Sequence, residues 1–190
     1  MTTFYTSDTH FGHRKIIDFC HRPYSSLEEM NEKMIVEWNE QVSNEDTVYH
    51  TGDFFFMAKH LQVKEILWSL NGKIHLISGN HDEVIREHKP LQSRFESFTN
   101  YKEIRVDKPD WFENTDSAGG VKIVMFHFPI AFWNKMHFGA IHLHGHMHGN
   151  SVGIDGRIMD IGVDTNGMKL YTETEILQKM NNRTIKHHHV

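Results

Sequence analysis

The sequence predicts an α/β fold with a partly parallel sheet, because strand-like and helix-like segments alternate along its first half. Two amphipathic segments there separate three short runs that are rich in β-branched and aromatic residues. The order strand, helix, strand, helix, strand is typical of βαβ units, in which helices pack on the faces of a sheet. With 190 residues the chain can bury one sizeable core but is short for two. We therefore expect a single domain over residues 1–190.

The elements of the first half each carry a local signal. Strands are expected at residues 4–6, 47–49 and 74–77, where β-rich runs end in polar or glycine clusters. The helix between the first two strands begins at Ser26, which Glu29 follows as in a capping box. Its apolar stripe consists of Leu27, Met30, Met34 and Trp38. A second helix, over residues 58–70 and ended by Gly72, is expected to bury Leu61, Ile66, Leu67 and Leu70.

The second half is predicted to add further strands and a final helix. Strands are expected at residues 121–126, 141–143 and 157–163, and a strand followed by a loop at residues 104–116. Lys89-Pro90 predicts a break in the chain. A turn at Asn166-Gly167 precedes the last helix, over residues 172–180. This helix starts with a Thr-x-x-Glu capping box, the second capping box of the sequence.

Charge and composition argue against several classes of partner. The net charge is −5 and the pI is near 6.4, whereas broad binding of nucleic acid or anionic membrane needs a basic face. No run of about eighteen apolar residues is present, and the first residues lack the pattern of a signal peptide. The single cysteine, Cys20, cannot form an internal disulfide and is expected to be packed. We expect a cytoplasmic protein with no membrane partner.

Histidine is over-represented, with seventeen residues against twenty lysines and arginines together. The three histidines at residues 187–189 fit either a native tail or a cloning remnant, so they carry no argument. The surplus suggests metal or acid–base chemistry, but position along the chain is the stronger evidence.

Polar side chains follow five of the predicted strands, at the ends where ligands bind in open α/β sheets. They are Asp8 and His10, then Asp53, then Asn80, His81 and Asp82, then His127, and finally His144, His146 and His148. Carboxylate and amide oxygens mixed with imidazoles suit divalent Mn, Fe, Zn, Ni or Co. In an extended chain, the donors of Asp-x-His and His-x-His lie on the same side. Gly52, Gly79 and Gly145 directly precede donors, where we expect tight turns or close backbone approach.

These blocks resemble the motifs of the calcineurin-like metallophosphoesterases. The family pattern appears in order as Asp8-Thr9-His10, Gly52-Asp53, Gly79-Asn80-His81-Asp82, His127 and Gly145-His146-Met147-His148. The likeness runs from residue 4 to about residue 150. The residues that surround the motifs are similar to those of small stand-alone bacterial and phage-type members. It implies a four-layer α/β/β/α sandwich of two mixed sheets.

The resemblance also implies a site with two divalent transition metal ions, Mn foremost and Fe, Zn, Ni, Co or Mg as alternatives. One ion would be held by Asp8, His10, Asp53 and His148, and the other by Asp53, Asn80, His127 and His146. Asp53 would bridge ions about 4 Å apart. By the same resemblance a metal-bound hydroxide attacks a phosphodiester, His81 is the general acid, and Asp82 orients the His81 ring.

Other roles are weaker expectations. His13, Arg14 and Arg86 are candidate contacts for a substrate phosphate, although surface residues would look the same. The aromatic run 54–56 could flank the site, and His144 could support a ligand. The substrate is expected to be a small phosphoester, with a nucleotide as one candidate. Phosphomonoesterase activity, a nuclease, which the acidic charge disfavours, and a non-catalytic interaction module remain the alternatives.

Overall fold

The computed structural model describes residues 1–56, 60–114 and 116–186. The strands in this part of the chain are β1 Thr3–Thr6, β2 Thr47–His50, β3 Lys73–Ile77, β4 Ser97–Thr99, β5 Lys102–Val106, β6 Val121–Met125, β7 Ile141–His144, β8 Ile158–Asp160 and β9 Tyr171–Thr172. The helices are α1 Arg14–Phe19, α2 Leu27–Gln41, α3 His60–Ser69, α4 Glu83–Glu87, α5 Lys89–Gln92 and α6 Glu173–Asn181. Two 3-10 turns, Met136–Phe138 and Val163–Thr165, complete the elements described.

Two mixed sheets form the centre of the molecule. The first has the order β4-β3-β2-β1-β9, with four parallel strands and an antiparallel β9 at one edge. The second has the order β5-β6-β7-β8, in which β5 is antiparallel and the others are parallel. The predicted α/β class with two mixed sheets is confirmed.

The sheets pack face to face, and this follows from alternation along the strands. Tyr5 of β1 and Ile77 of β3 lie in one buried cluster with Ile123 and Leu143 of the second sheet. Phe4, one residue from Tyr5, points to the opposite face and packs with α2 and α3. The outer face of the second sheet is covered by the segment around Trp133 and Met136 and its 3-10 turn, not by a long helix.

The capping signals of the two longer predicted helices are confirmed. Ser26 accepts a hydrogen bond from the Glu29 backbone N–H and caps α2. Thr172 and Glu175 form a complete capping box at the start of α6. These bonds satisfy backbone donors that have no partner inside the helix.

Several sequence expectations were wrong in detail. Leu61 is 72% exposed and does not join the core, whereas Ile66, Leu67 and Leu70 are buried. The start of the predicted second helix, residues 58 and 59, lies outside the described residues. Lys89-Pro90 begins the short helix α5, because proline is tolerated in a first helical turn. Helix α1 and strands β4 and β9 were not predicted, because they are too short for a periodic pattern.

No helix within the described residues is long and apolar enough to cross a membrane. The cytoplasmic location stays a prediction. The histidines at 187–189 lie outside the part of the chain described here.

Candidate metal centre

The predicted donors lie together at the carboxyl ends of β1, β2, β3, β6 and β7. Backbone hydrogen bonds join their loops: Asp8 N–H donates to Gly52 O at 3.0 Å, and His10 N–H donates to Asp53 O at 3.0 Å. The loops of the two sheets are joined in the same way, since both Asp8 carboxylate oxygens accept from His146 N–H, at 3.0 and 3.1 Å. The two halves of the chain thus build one site.

Five candidate ligands have left-handed backbone conformations, which non-glycine residues rarely adopt. The φ angles are 55° at Asp8, 50° at His10, 55° at Asp53, 69° at His146 and 47° at His148. The expectation of extended Asp-x-His and His-x-His segments is therefore wrong. Extended donors two residues apart would be separated by roughly 7 Å along the strand. The kinked backbone instead brings His10 Nε2 to 3.8 Å from Asp8 Oδ1.

Two glycines allow these loops to approach so closely. Gly52 has a φ of 101°, and a Cβ there would clash with the backbone of Gly79. A Cβ on Gly145 would clash with Ser7 Oγ and the Asp8 carboxylate. The glycines expected to shape the site do so by leaving room for neighbouring chain.

The first donor group consists of Asp8, His10 and His148, whose ligand atoms lie within 4.8 Å of one another. Asp53 Oδ2 is 3.6 Å from His10 Nε2 and so borders the same group. The ring nitrogens of His10 are buried and make no hydrogen bond with the described residues. A buried imidazole without a partner is costly, and a coordinated cation would satisfy it.

The second donor group consists of Asp53, His127 and His146, again within 4.8 Å. His127 Nε2 is 3.5 Å from Asp53 Oδ2 and 3.0 Å from Asn80 Oδ1. His127 Nδ1 lies 2.8 Å from the Thr51 carbonyl, which fixes the ring with Nε2 toward the other donors. Asp53 Oδ2 therefore faces both groups, as a bridging carboxylate must.

The electrostatics favour the metal-binding protonation state at Asp53 and His10. Burial raises the pKa of Asp53, but the hydrogen bond and charge of His127 outweigh it and hold that pKa below its usual range. Burial lowers the pKa of His10 despite the attraction of Asp8 and Asp53. At His127 and His148, burial lowers the pKa, but hydrogen bonds to Asp53 and Asp164 outweigh it and raise that pKa, so metal binding there would release a proton. Ionised carboxylates and neutral imidazoles are the ligand forms that divalent transition metals require, so this donor set fits two such ions.

Asp82 does something different from what was expected. Its two carboxylate oxygens accept backbone hydrogen bonds from Asp53 at 3.0 Å, Phe54 at 2.8 Å and Gly79 at 2.7 Å. Complete burial raises its pKa to about 6. Asp82 thus holds the loops that carry Asp53 and Asn80. The expectation that Asp82 orients the His81 ring was wrong, because both Asp82 oxygens accept hydrogen bonds from backbone N–H groups.

His81 stands at the open side of the centre. Its side chain is 40% exposed, and its Nε2 lies 3.9 Å from Asp53 Oδ2. The ring meets the ring of Phe56 edge-on at 4.7 Å, and the His81 N–H donates to Asp53 Oδ1 at 2.8 Å. An exposed imidazole anchored through its own backbone can face a bound substrate.

Two buried residues that sequence reasoning missed support the first donor group. His148 Nδ1 lies 2.8 Å from Asp164 Oδ2, and the Arg22 guanidinium binds both Asp164 oxygens, at 2.8 and 2.9 Å. Arg22 also donates to the carbonyls of Asp8, at 2.7 Å, and Thr9, at 2.8 Å. Burial raises the pKa of Asp164, but His148 and Arg22 outweigh it and lower that pKa to about 2. Arg22 and Asp164 lie 142 positions apart, so no sequence motif could have indicated that they are partners.

The three residues expected to contact substrate lie in different surroundings. Arg14 pairs with Asp18 at 3.3 Å along the exposed face of α1. The Arg86 guanidinium donates to Ser78 Oγ at 2.7 Å and to Gly79 O at 2.8 Å, so it supports the loop before Asn80.

His13 alone of the three lies among the site rings. It stacks on Phe56 at 3.8 Å and lies 5.4 Å from the His10 ring. Burial and the neighbouring His10 lower the pKa of His13 to about 4. Of the aromatic run, Phe54 and Phe55 are fully buried, so Phe56 is the member that borders the site.

Other histidines have supporting positions. Gly52 N–H donates to His50 Nδ1 at 3.1 Å, and His50 Nε2 lies 3.1 Å from Thr9 Oγ1, so His50 connects two ligand loops. His144 is buried with its Nδ1 2.8 Å from Gly145 O, as expected for a residue that supports the last ligand loop. His142 is buried against Trp133.

Comparisons with known proteins agree with this geometry. A family model described as calcineurin-like phosphoesterase matches residues 1–174. A solved structure of a protein of unknown function from Aquifex aeolicus superposes with a TM-score of 0.68 over 94% of this chain and 98% of its own, at 24% identity. At that identity the likeness concerns the fold alone.

Similar sequences occur in an archaeon and in phages. An uncharacterised protein of Methanocaldococcus jannaschii is 39% identical over 105 residues, which cover 55% of this chain and 57% of that protein. The match therefore spans little more than half of the archaeal protein. The gene 66 protein of Mycobacterium phage L5 is 27% identical over 94% of both chains, and that of phage D29 is 28% identical over 84% of this chain and 86% of its own.

Proposed function

This chain belongs to the calcineurin-like phosphoesterase family, and we propose that it is a dinuclear metal enzyme that hydrolyses phosphodiesters, with His81 as the general acid. One observation carries the proposal: two groups of metal donors face the same Asp53 oxygen, and the exposed His81 ring lies 3.9 Å from that oxygen. We propose Mn²⁺ as the ion used, since mixed oxygen and imidazole donors suit it.

A pair of divalent ions, when bound, supplies positive charge to the phosphoryl oxygens and lowers the pKa of a bound water. The chain's own residues position the donor loops and exclude water from their buried side. The donor loops are held on their buried side by Asp82, His50 and the Arg22–Asp164 pair. His146 and His81 lie on the solvent side, which is where a phosphate must enter.

His81 is placed to handle a proton at the leaving oxygen. Its backbone is anchored to Asp53 Oδ1, while its ring meets the edge of Phe56 and lies 5.8 Å from the His10 ring. An imidazole that is partly solvated and near the metal donors can protonate a departing alkoxide without being a ligand itself.

The arginines near the site favour a diester over a monoester. A phosphate monoester dianion calls for more positive charge than a diester monoanion, and enzymes commonly supply it with arginine. Here Arg22 is buried against Asp164, Arg86 is bound to the loop before Asn80, and Arg14 pairs with Asp18. The engaged guanidiniums support a substrate that carries a single negative charge.

The test is hydrolysis of bis(4-nitrophenyl) phosphate and of 4-nitrophenyl phosphate with added Mn²⁺. We expect the wild type to prefer the diester. Asp53→Asn should lose almost all activity and bind less than two Mn²⁺ per chain. His81→Ala should keep both ions and lose about 10²- to 10⁴-fold in turnover on a diester with an alkoxide leaving group, such as a cyclic nucleotide, which is the usual contribution of general acid catalysis. The loss on the 4-nitrophenyl diester should be smaller, because 4-nitrophenolate leaves without a proton. Wild-type turnover in both variants would refute the mechanism.

The same assay separates the alternatives. A preference for the monoester would identify a phosphatase. Cleavage of single-stranded DNA that falls steeply with salt would favour a nuclease. Fewer than one ion bound per chain, with no hydrolysis, would favour a non-catalytic interaction module.

A further inference from the structure

A cleft of about 270 Å³ adjoins the proposed catalytic centre. The residues that line it are Phe56, Asn80, His81, Glu83, Val84, Glu87 and His88. Asn80 is a candidate ligand of the second ion, and His81 is the proposed acid. The cleft therefore begins where the bond to the leaving oxygen would break, and its volume suits a small organic group.

The wall of this cleft is a short helix with two acidic side chains. Helix α4 starts directly after Asp82, and Glu83 and Glu87 lie four residues apart on it, a spacing that puts both on one face. Both glutamates are exposed. Arg86 of the same helix donates to Ser78 Oγ, Gly79 O and Asn80 O and does not itself line the cleft.

Phe56 and Val84 supply the apolar part of the remaining surface, and His88, whose Nδ1 lies 3.1 Å from Val84 O, completes it. The Phe56 ring is held between the stacked His13 ring at 3.8 Å and the edge of His81 at 4.7 Å. Val84 is half-buried and packs against the core. An organic group entering the cleft would thus meet an apolar surface beside two negative charges.

We propose that this cleft receives the leaving group of the phosphodiester and selects an uncharged or cationic alcohol over an anionic one. The inference rests on the proposed function, because it takes His81 as the acid. In that reaction a water oxygen bonds to phosphorus and the water proton passes to solvent, the bond from phosphorus to the leaving oxygen breaks, and the proton from His81 ends on the leaving alcohol. An anionic leaving group, such as a continuing nucleic-acid strand, would be repelled by Glu83 and Glu87.

The experiment uses three methyl aryl phosphodiesters whose aryl ring carries a carboxylate, a nitro group or a trimethylammonium group. The Mn²⁺-loaded wild type and the Glu83→Gln/Glu87→Gln variant are compared by kcat/KM. Relative to the nitro substrate, the variant should gain about fivefold on the anionic leaving group and lose about fivefold on the cationic one. Both effects should shrink at high salt, because the glutamates are exposed.

A matched control is Glu28→Gln/Glu32→Gln on α2. It removes the same charge at the same spacing from an exposed helix face outside the cleft, and the substrate ratios should not change. Equal ratios in wild type and cleft variant, or the same shift in the control, would overturn the proposal.

A second measurement does not depend on turnover. We titrate the free trimethylammonio- and carboxyphenols and follow the Val84 methyl and Phe56 ring signals by NMR. The cationic phenol should shift them at lower concentration than the anionic one, and the preference should vanish in the cleft variant. If the wild type hydrolyses no diester, the proposed function fails, and this titration alone then decides whether the cleft binds by charge.

Discussion

Replacing Arg22 with Met should destabilise the protein strongly, because it leaves the buried Asp164 carboxylate without its guanidinium partner, beside the His148 ring and the Cys20 thiol. The Arg22 and Asp164 side chains are 1% and 6% exposed. The substitution keeps most of the volume of the side chain but removes the charge and the donors to the Asp8 and Thr9 carbonyls. Breaking a buried ion pair from one side typically costs about 3–5 kcal/mol.

The pKa of Asp164 gives an independent lower figure. Its value of about 2, against an ordinary 3.8, corresponds to about 2 kcal/mol of stabilisation from its partners. Because the folded pKa is depressed, this stabilisation is fully present above about pH 4. It is lost as the pH falls toward 2.

We would measure urea unfolding of the metal-free protein in EDTA by circular dichroism. At pH 7 the Arg22→Met variant should lose about 2–5 kcal/mol of unfolding free energy. The difference from wild type should narrow as the pH falls through 4. The control is Arg14→Met, whose pair with Asp18 has side chains 51% and 71% exposed and should contribute under about 1 kcal/mol. A loss in Arg22→Met no larger than in Arg14→Met would refute the reasoning.

Three further predictions concern the site and the fold. Asp164→Asn should weaken one Mn²⁺ site by about 10- to 100-fold and leave the other unchanged, as two-site titration calorimetry would resolve; equal weakening of both sites would contradict it. Leu67→Ala should cost about 2–5 kcal/mol because Leu67 is fully buried, whereas Leu61→Ala, at a side chain 72% exposed, should stay within about 0.5 kcal/mol by the same urea assay. Thr172→Ala should cost about 1 kcal/mol through the capping box of α6, and Thr172→Ser should retain most of it.

The sequence could predict which side chains meet because parallel strands bring their carboxyl ends to one edge. Asp8, Asp53 and Asn80 each follow a strand of the first sheet, so their proximity needed no knowledge of contacts. His127 follows β6 of the second sheet, and only the packing of the two sheets brings it to the others. Asp164 and Arg22 could not be found in this way. They lie in a 3-10 turn and an irregular loop with no pattern of spacing, and only the tertiary fold makes them partners.

The role of Asp82 was misjudged for a related reason. Adjacency to His81 suggested a contact between side chains, but a buried carboxylate is satisfied best by several backbone N–H groups, and three were within reach. The same preference explains Asp160, which accepts from the backbone of Gly149 and Gly162 at 2.8 Å each. The local sequence shows which side chains of a loop can bind a metal. It does not show which residues hold that loop in place.

These anchoring carboxylates explain how the strained ligand loops persist. Left-handed conformations at five non-glycine residues cost about 1 kcal/mol or more each, so the loops would relax if nothing opposed them. Asp82 and the Arg22–Asp164 pair bind the backbone or ring of those loops through atoms that take no part in the donor groups. Contacts within the fold therefore oppose the strain. It follows that damage to an anchor should weaken metal binding without touching a ligand.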